Sequence, residues 1–481
     1  MCDRAKFSTF ALSLVIVGVS VSAGADRWRF IMTCDSRGSF ATGVNETVMG
    51  ELVDEILQLD VQFVMFPGDL VYGARVGLER FEEQLWHWVE VMEPVYEAGI
   101  AVYVCRGNHE VGDMWDVWPG EQPNPVDNYA LGWLNVFGSE AHPDLRLPGN
   151  GPAGEEYMTY SARYNNALIV ALDQYAGTRH QLAHQLNQEW LDVQLRQNTQ
   201  PHVFVFGHEP AFRALHSDCL GTYPDQRDAF WASLKAAGAR TYFCGHDHFY
   251  DHARIDDGDG DPDNDVHQFI VGTAGAYPYF WVPPYGGNNG DFTVEQMHHA
   301  ERFGYVLVEI ENLDVTVTWM QRQDNDLDVP GVYEAGEVWS YAVSPGVTVT
   351  HPNGGERFVA GRPLTIEWKT VGMGDIERVL IDYSLDGGAS WLSAGEAENT
   401  GAHAWLTPAT SSSECLVRIG AIGSAMRSDV SDEAFSIYEC PVKLAADLNG
   451  DCTVDFADLA ILAAEWLACG DPGGPTGSTQ D

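Results

Sequence analysis

Along the first two thirds of the chain, apolar residues fall into short unbroken runs separated by longer stretches of helical spacing. The runs at 29–32, 62–66, 100–104, 202–206 and 241–243 are rich in Val, Ile, Phe and Tyr and predict buried strands. Between them, 47–59, 78–96 and 180–195 repeat apolar residues at a period near 3.6, as in Val48, Leu52, Val53, Ile56 and Leu57. The stretch 157–172 predicts two strands around Asn165-Asn166, and 305–319 a second pair turned at Asn312. Strands alternating with helices give an α/β class, here a central β sandwich flanked by helices. After 345 the pattern changes. Runs at 347–351, 364–368, 379–383, 404–406, 416–419 and 434–438 alternate with turn signals such as Pro352-Asn353-Gly354-Gly355 and Asp386-Gly387-Gly388. That spacing predicts an all-β sandwich.

Each of the five first-named runs ends in a short polar motif. They are Asp35-Ser36-Arg37, Gly68-Asp69-Leu70-Val71-Tyr72, Gly107-Asn108-His109-Glu110, Gly207-His208-Glu209-Pro210 and Gly245-His246-Asp247-His248. The C-terminal ends of strands are where open α/β sheets bind ligands. Asp, Asn, His and Tyr donate oxygen and nitrogen to hard or borderline cations. Two cations close together neutralise a phosphate ester and lower the pKa of a bound water. Asp69 is the expected bridging carboxylate. Asp35, Tyr72 and His248 complete the first metal, and Asn108, His208 and His246 the second. His109 adjoins a ligand without being needed as one, so it is the expected general acid. Arg37 can fork onto phosphate oxygens or pair with Asp35. Glu110 and Asp247 are expected to support the ligands from behind.

These motifs resemble those of the calcineurin-like metallophosphoesterase superfamily over roughly residues 27–325. The resemblance implies a phosphatase or phosphodiesterase with two divalent or mixed-valence ions, Fe, Mn or Zn. The usual first motif is Asp-x-His, and here Arg37 stands at the His. The Gly-Asp-x-x-Tyr form is that of the purple acid phosphatase branch, where the tyrosine is a ligand. That likeness implies Tyr72 in the place the histidine would fill.

Charge and targeting signals narrow the setting. The net charge of −44 argues against nucleic acid and anionic membranes as partners and suits a solvated, exported surface. Arg4 and Lys6, the apolar stretch 10–21 and Ala23-Gly24-Ala25 read as a signal peptide over residues 1–25. The mature protein is then expected to be secreted, extracellular or periplasmic, acting on a small-molecule or phosphorylated substrate. Of nine cysteines, Cys34, Cys105 and Cys244 end core strands and are expected as buried thiols. Cys415, Cys440, Cys452 and Cys469 are disulfide candidates with no pairing readable from spacing.

Two insertions, 112–156 and 277–299, are loop-like and rich in aromatics, to stack on a ligand or on their own chain. The acidic run 256–265 reads as a solvated hairpin loop, with calcium as the alternative. The domains expected are a phosphoesterase unit at 26–325 and a sandwich resembling immunoglobulin or fibronectin modules at 345–439. A calcium-loop and helix module at 440–470 and a disordered tail at 471–481 follow. In that module Asp447, Asn449, Asp451, Thr453, Asp455 and Asp458 take the positions of an EF-hand-type Ca²⁺ loop, followed by an amphipathic helix at 459–467. It resembles a single dockerin repeat, which implies a scaffold protein as a possible partner. Dockerins carry two repeats, and Cys452 replaces the turn glycine. Two function classes stay open: a metal-dependent phosphoric ester hydrolase, and a catalytically silent module of the same fold used for binding or surface display. One departure among five motifs, with Tyr72 as a replacement donor, favours the enzyme.

Overall fold

The computed structural model describes residues 27–73, 76–111, 128–175, 184–198, 200–343, 346–371, 377–422, 428–440, 444–448 and 452–464. Expectations for the signal segment, Asn449, Asp451, Cys469, most of the aromatic stretch before residue 128 and the tail lie outside these.

The N-terminal region opens with β1 (Arg27–Met32), α1 (Glu46–Gln58), β2 (Phe63–Pro67), α2 (Leu78–Glu97) and β3 (Ala101–Cys105). Then come α3 (Asn128–Phe137), β4 (Tyr160–Tyr164), β5 (Ala167–Leu172), α4 (Gln188–Arg196), β6 (His202–Gly207), α5 (Pro224–Ala236) and β7 (Thr241–Cys244). It closes with β8 (Tyr250–Asp256), β9 (Val266–Val271), β10 (Thr293–Ala300), β11 (Gly304–Glu311), β12 (Asp314–Arg322) and β13 (Tyr333–Ala342). They form two sheets, ordered β13-β12-β11-β1-β2-β3 and β10-β8-β9-β7-β6-β5-β4. The strands β1, β2 and β3 run parallel, as do β5, β6 and β7, so each set delivers its C-terminal ends to one side.

The sheets pack face to face through aromatic side chains. Phe30 stacks on Phe63 of its own sheet at 4.8 Å and meets Phe204 of the other edge-on at 4.9 Å. Burying each such ring contributes about 1.5–3 kcal/mol relative to exposure. Helix α1 sits on the outside because Val48, Met49, Leu52, Val53 and Ile56 bury one face. Trp88 of α2 packs edge-on against Phe66, and Trp231 and Phe230 of α5 cover Tyr242 of the other sheet.

Several expectations shift. The first sheet does not stop at 325: β13 adds an outer strand through residue 342. The helix expected from 180 starts at Gln188, capped by the Asn187 side chain accepting from Trp190 N–H. Within the two loop-like insertions lie α3 and β10. In the acidic run, the Lys235 ammonium bonds Asp257 and Asp259, so a cation from the chain itself meets the carboxylates.

The C-terminal region carries β14 (Gly346–His351), β15 (Arg357–Val359), β16 (Pro363–Val371), β17 (Arg378–Ser384), β18 (Leu392–Glu398), β19 (Ala402–Leu406), β20 (Ser412–Ala421), β21 (Ser428–Val430) and β22 (Phe435–Tyr438). Its sheets, β14-β16-β19 and β15-β22-β20-β17-β18, enclose a separate core around Ile366, Trp368, Ile381, Val417 and Phe435. Cys440 and Cys452 are disulfide-bonded, and Cys415 is a buried free thiol. Helix α6 (Phe456–Ala464) follows. None of the described helices is long and apolar enough to cross a membrane.

Candidate metal centre

The parallel strands bring the five motifs to one cleft of about 340 Å³. Arg37, Asp69, Tyr72, Asn108, His109, His246 and His248 line it, and Asp35 and His208 lie buried beneath. Backbone bonds knit the strand ends together: Asp35 N–H donates to Gly68 O at 3.2 Å and Gly245 N–H to His208 O at 2.8 Å. Three donors sit in left-handed backbone, Asp35 at φ 62°, Asp69 at φ 50° and His246 at φ 70°. Such strain clusters where a side chain must be aimed against local preference. A Cβ on Gly107 would come within 2.3 Å of Asp69 Oδ1 and 2.9 Å of His208 Cε1, so only glycine lets these donors close in.

Glu110 holds the Asp69 turn from behind. Its carboxylate accepts from the backbone N–H of Asp69 at 2.9 Å, Gly107 at 2.8 Å and Val71 at 3.2 Å. Asp247 does the same for the loop after β6, accepting from Leu215 and His216 N–H and from the His216 ring.

Hydrogen bonds assign the protons. His208 Nδ1 lies 2.8 Å from Pro67 O, which can only accept, so Nδ1 carries the hydrogen. Its bare Nε2 then faces Asn108 Oδ1 at 3.0 Å and Asp69 Oδ1 at 3.4 Å. Burial pushes His208 down to about 4, so no proton enters between these acceptors. Three lone pairs converging in a buried place fit a cation. His246 Nδ1 joins them, 3.1 Å from Asn108 Oδ1. Burial would lower His246, but Asp218 and the nearby Asp247 and Glu209 raise it to about 9, so a proton holds Nδ1 until a cation displaces it.

The other donors are arranged differently. Burial would raise Asp69, yet His109, His208 and Arg37 hold it below the usual carboxylate range. Asp35 is pushed up to about 8 by burial and by the charge of Asp69. Its Oδ2 accepts from His246 N–H at 3.0 Å, while Oδ1 is buried without a hydrogen-bond partner. Oδ1 lies 3.6 Å from His248 Nε2. The His248 ring donates from Nδ1 to Tyr277 O at 3.2 Å, and its Nε2 accepts from Arg37 Nη2 at 3.0 Å. Tyr72 packs its ring edge-on against Phe40 and His109. One oxygen or nitrogen each from Asp35, Asp69 and His208 lies within 4.8 Å of the other two.

His109 Nδ1 donates to Tyr72 O, leaving Nε2 toward the cleft, 3.9 Å from Asp69 Oδ2. Three lining residues, His216, Asp218 and Tyr279, escape the strand-end pattern. His216 and Asp218 lie on a loop with no motif of its own, and Tyr279 is one aromatic among several in its insertion.

The calcineurin-like phosphoesterase family matches residues 45–250, a span that takes in every motif after Arg37. Among solved structures, a purple acid phosphatase from seeds of yellow lupin, Lupinus luteus, is similar at 15% identity with a TM-score of 0.48. The match covers 66% of this chain and 54% of that one, so this chain spans about half of that protein's length. No curated protein matches the chain.

Proposed function

We propose that the chain is a metal-dependent phosphoric ester hydrolase. The observation that carries this is the meeting of His208 Nε2, Asn108 Oδ1 and Asp69 Oδ1 with no proton between them, beside His109 Nε2 on the same cleft. The donor set is Asp35, Asp69, Tyr72, Asn108, His208, His246 and His248. Metal bound there supplies neutralisation of the phosphate oxygens and an acidified water.

The chain's own residues do the rest. The Tyr72 carbonyl fixes the His109 ring so that only Nε2 can meet the leaving oxygen. With Nδ1 already donating to Tyr72 O, the imidazolium form of His109 gives a proton from Nε2 as the ester bond breaks and returns to the neutral ring; burial lowers this group's pKa, so acidic conditions favour the step. Glu110 and Asp247 hold the donor loops, so the site does not reorganise during turnover. Arg37 puts a permanent positive charge on the cleft wall, where the substrate's oxygens gather.

The signal-like segment and the acidity support export, and a mature N-terminus at Asp26 in the secreted protein is the check. The C-terminal loop is proposed to hold one Ca²⁺, and docking to a scaffold protein is the open partner reading. The central test is hydrolysis of an aryl phosphate by purified protein loaded with Mn, Zn or Fe. Activity lost with chelation and with His208→Ala is expected. Metal-loaded protein inert toward both monoesters and diesters would leave the silent-module reading instead.

A further inference from the structure

The two donor groups of the cleft differ in what already occupies them. Around Asp69 Oδ1, Asn108 and His208 the three acceptors face one another directly, and the neighbouring His246 Nδ1, 3.1 Å from Asn108 Oδ1, carries a proton that an incoming cation can displace. Around Asp69 Oδ2, Asp35 and His248 a guanidinium stands in the way. Arg37 Nη2 donates to His248 Nε2 at 3.0 Å and to Tyr279 OH at 3.0 Å. Its Nε, buried and without a hydrogen bond, lies 3.7 Å from Asp69 Oδ2. An imidazole nitrogen has one lone pair, so His248 Nε2 cannot take this hydrogen bond and ligate a metal at once.

The arginine is clamped rather than loosely placed. The Tyr279 ring stacks on His248 at 4.1 Å with 18° between the planes. Tyr279 N–H donates to His248 O at 2.8 Å, and Tyr277 O takes the remaining His248 nitrogen. One tyrosine therefore holds both the histidine and the guanidinium bonded to it. The buried Asp35 Oδ1, which accepts no hydrogen bond, lies 3.6 Å from His248 Nε2, the nitrogen to which the guanidinium is bonded. A guanidinium is planar, permanently charged and weakly hydrated, and so suits a dry place between carboxylates better than an ammonium would. Its charge repels a second divalent ion at the short separation that two-metal sites require.

We propose that Arg37 is the built-in cation of the first position, so that the protein binds a single metal ion on Asp69, Asn108, His208 and His246. This rests on the phosphoric ester hydrolase reading, and it makes the centre one metal plus one guanidinium where two metals were expected.

Electron paramagnetic resonance of the full chain loaded with Mn²⁺ tests it. Two Mn²⁺ ions about 4 Å apart are spin-coupled, whereas isolated ions give a simple six-line spectrum. Mn²⁺ bound elsewhere on the chain stays uncoupled and is subtracted with His208→Ala. The wild type is expected to show one uncoupled ion that His208→Ala removes. Arg37→His, which restores the donor the motif usually carries, is expected to bind a second ion and to show the coupled spectrum. Circular dichroism confirms that both variants are folded. A coupled pair in the wild type would overturn the inference and leave the hydrolase reading standing. An uncoupled ion in both wild type and Arg37→His would also overturn it, because the guanidinium would not be what excludes the second ion. Failure to bind any ion that depends on His208 would instead remove the hydrolase reading, and the inference with it.

Discussion

In the N-terminal sandwich three strand-end side chains, Asp35, Asp69 and His246, stand in left-handed backbone. In the C-terminal sandwich, over the described residues of 346–438, every positive φ belongs to glycine. Buried polar groups divide the same way. The first sandwich buries Asp35, Asp69, His208, His246 and His248, while the second buries Ser384, Thr407 and Ser431. Those three hydroxyls are neutral, and each is bonded to its own turn or neighbouring strand. A non-glycine residue at such φ costs on the order of 1–3 kcal/mol, and buried charge costs more. Two sandwiches that each enclose an apolar core are thus told apart by where unfavourable backbone and uncompensated polarity are tolerated. That tolerance sets the N-terminal cleft apart as the candidate site, and the described residues of the C-terminal sandwich show no such cluster of buried charge.

The largest effect should come from the convergent acceptors. His208→Ala is expected to empty the cation place and to lower hydrolysis about 10³-fold, equivalent to about 4 kcal/mol. Metal analysis and aryl phosphate turnover measure it, and a variant that keeps both would dissolve the contrast between the two sandwiches.

His109→Ala should cost about 10²-fold in turnover with metal content unchanged if this ring, which reaches the cleft through Nε2, serves as the proposed acid and not as a ligand. Metal loss in that variant would make His109 a structural ligand.

A smaller effect is expected one layer out. Both Glu110 carboxyl oxygens accept from backbone N–H groups, so Glu110→Gln replaces one of these acceptors by an amide donor, and metal affinity should fall about 10–100-fold. Titration calorimetry against the chosen metal gives the number. Unchanged affinity would mean that the Asp69 turn holds without Glu110.

The other side of the comparison predicts silence. Trp368 is buried in the C-terminal core and donates to Asn399 Oδ1 at 2.9 Å. Trp368→Ala should destabilise that sandwich by about 3–5 kcal/mol, seen as an earlier unfolding transition. Hydrolysis at temperatures below that transition should stay within about twofold of wild type, the range of surface effects of up to about 0.5 kcal/mol. A proportional loss of activity would show the two sandwiches to be coupled.

The least effect on activity belongs to the C-terminal loop. There Asp458 is buried and accepts from Leu448 and Asp455 N–H, and Cys452 adopts φ 72° where the loop pattern favours glycine. Millimolar Ca²⁺ should slow proteolysis of 440–470 in the full chain and leave hydrolysis unchanged. Equal cleavage with and without Ca²⁺ would remove calcium from the account.

The sequence by itself carried the elements and the identity of most cleft residues. Strands β1, β2, β3, β6 and β7 are legible because unbroken apolar runs survive only when both faces are covered. The motif residues are legible because a polar cluster directly after such a run has one place to go, the end of a sheet. Less local features were not readable. β13 has exposed and half-buried positions with no clean alternation, so its place in the first sheet depends on the partner strand β12. His216 and Asp218 reach the cleft by the path of a loop, which no periodicity encodes.

Arg37 shows the limit most plainly. Its position marked a departure from the Asp-x-His motif, and its chemistry allowed a phosphate or Asp35 as partner. Which partners it takes is decided by His248 and Tyr279, 211 and 242 positions away. Local patterning specifies what each segment can become, because periodicity and turn chemistry act over a few residues. The direction of a long charged side chain is set by charges and rings that only the packed sheets bring together.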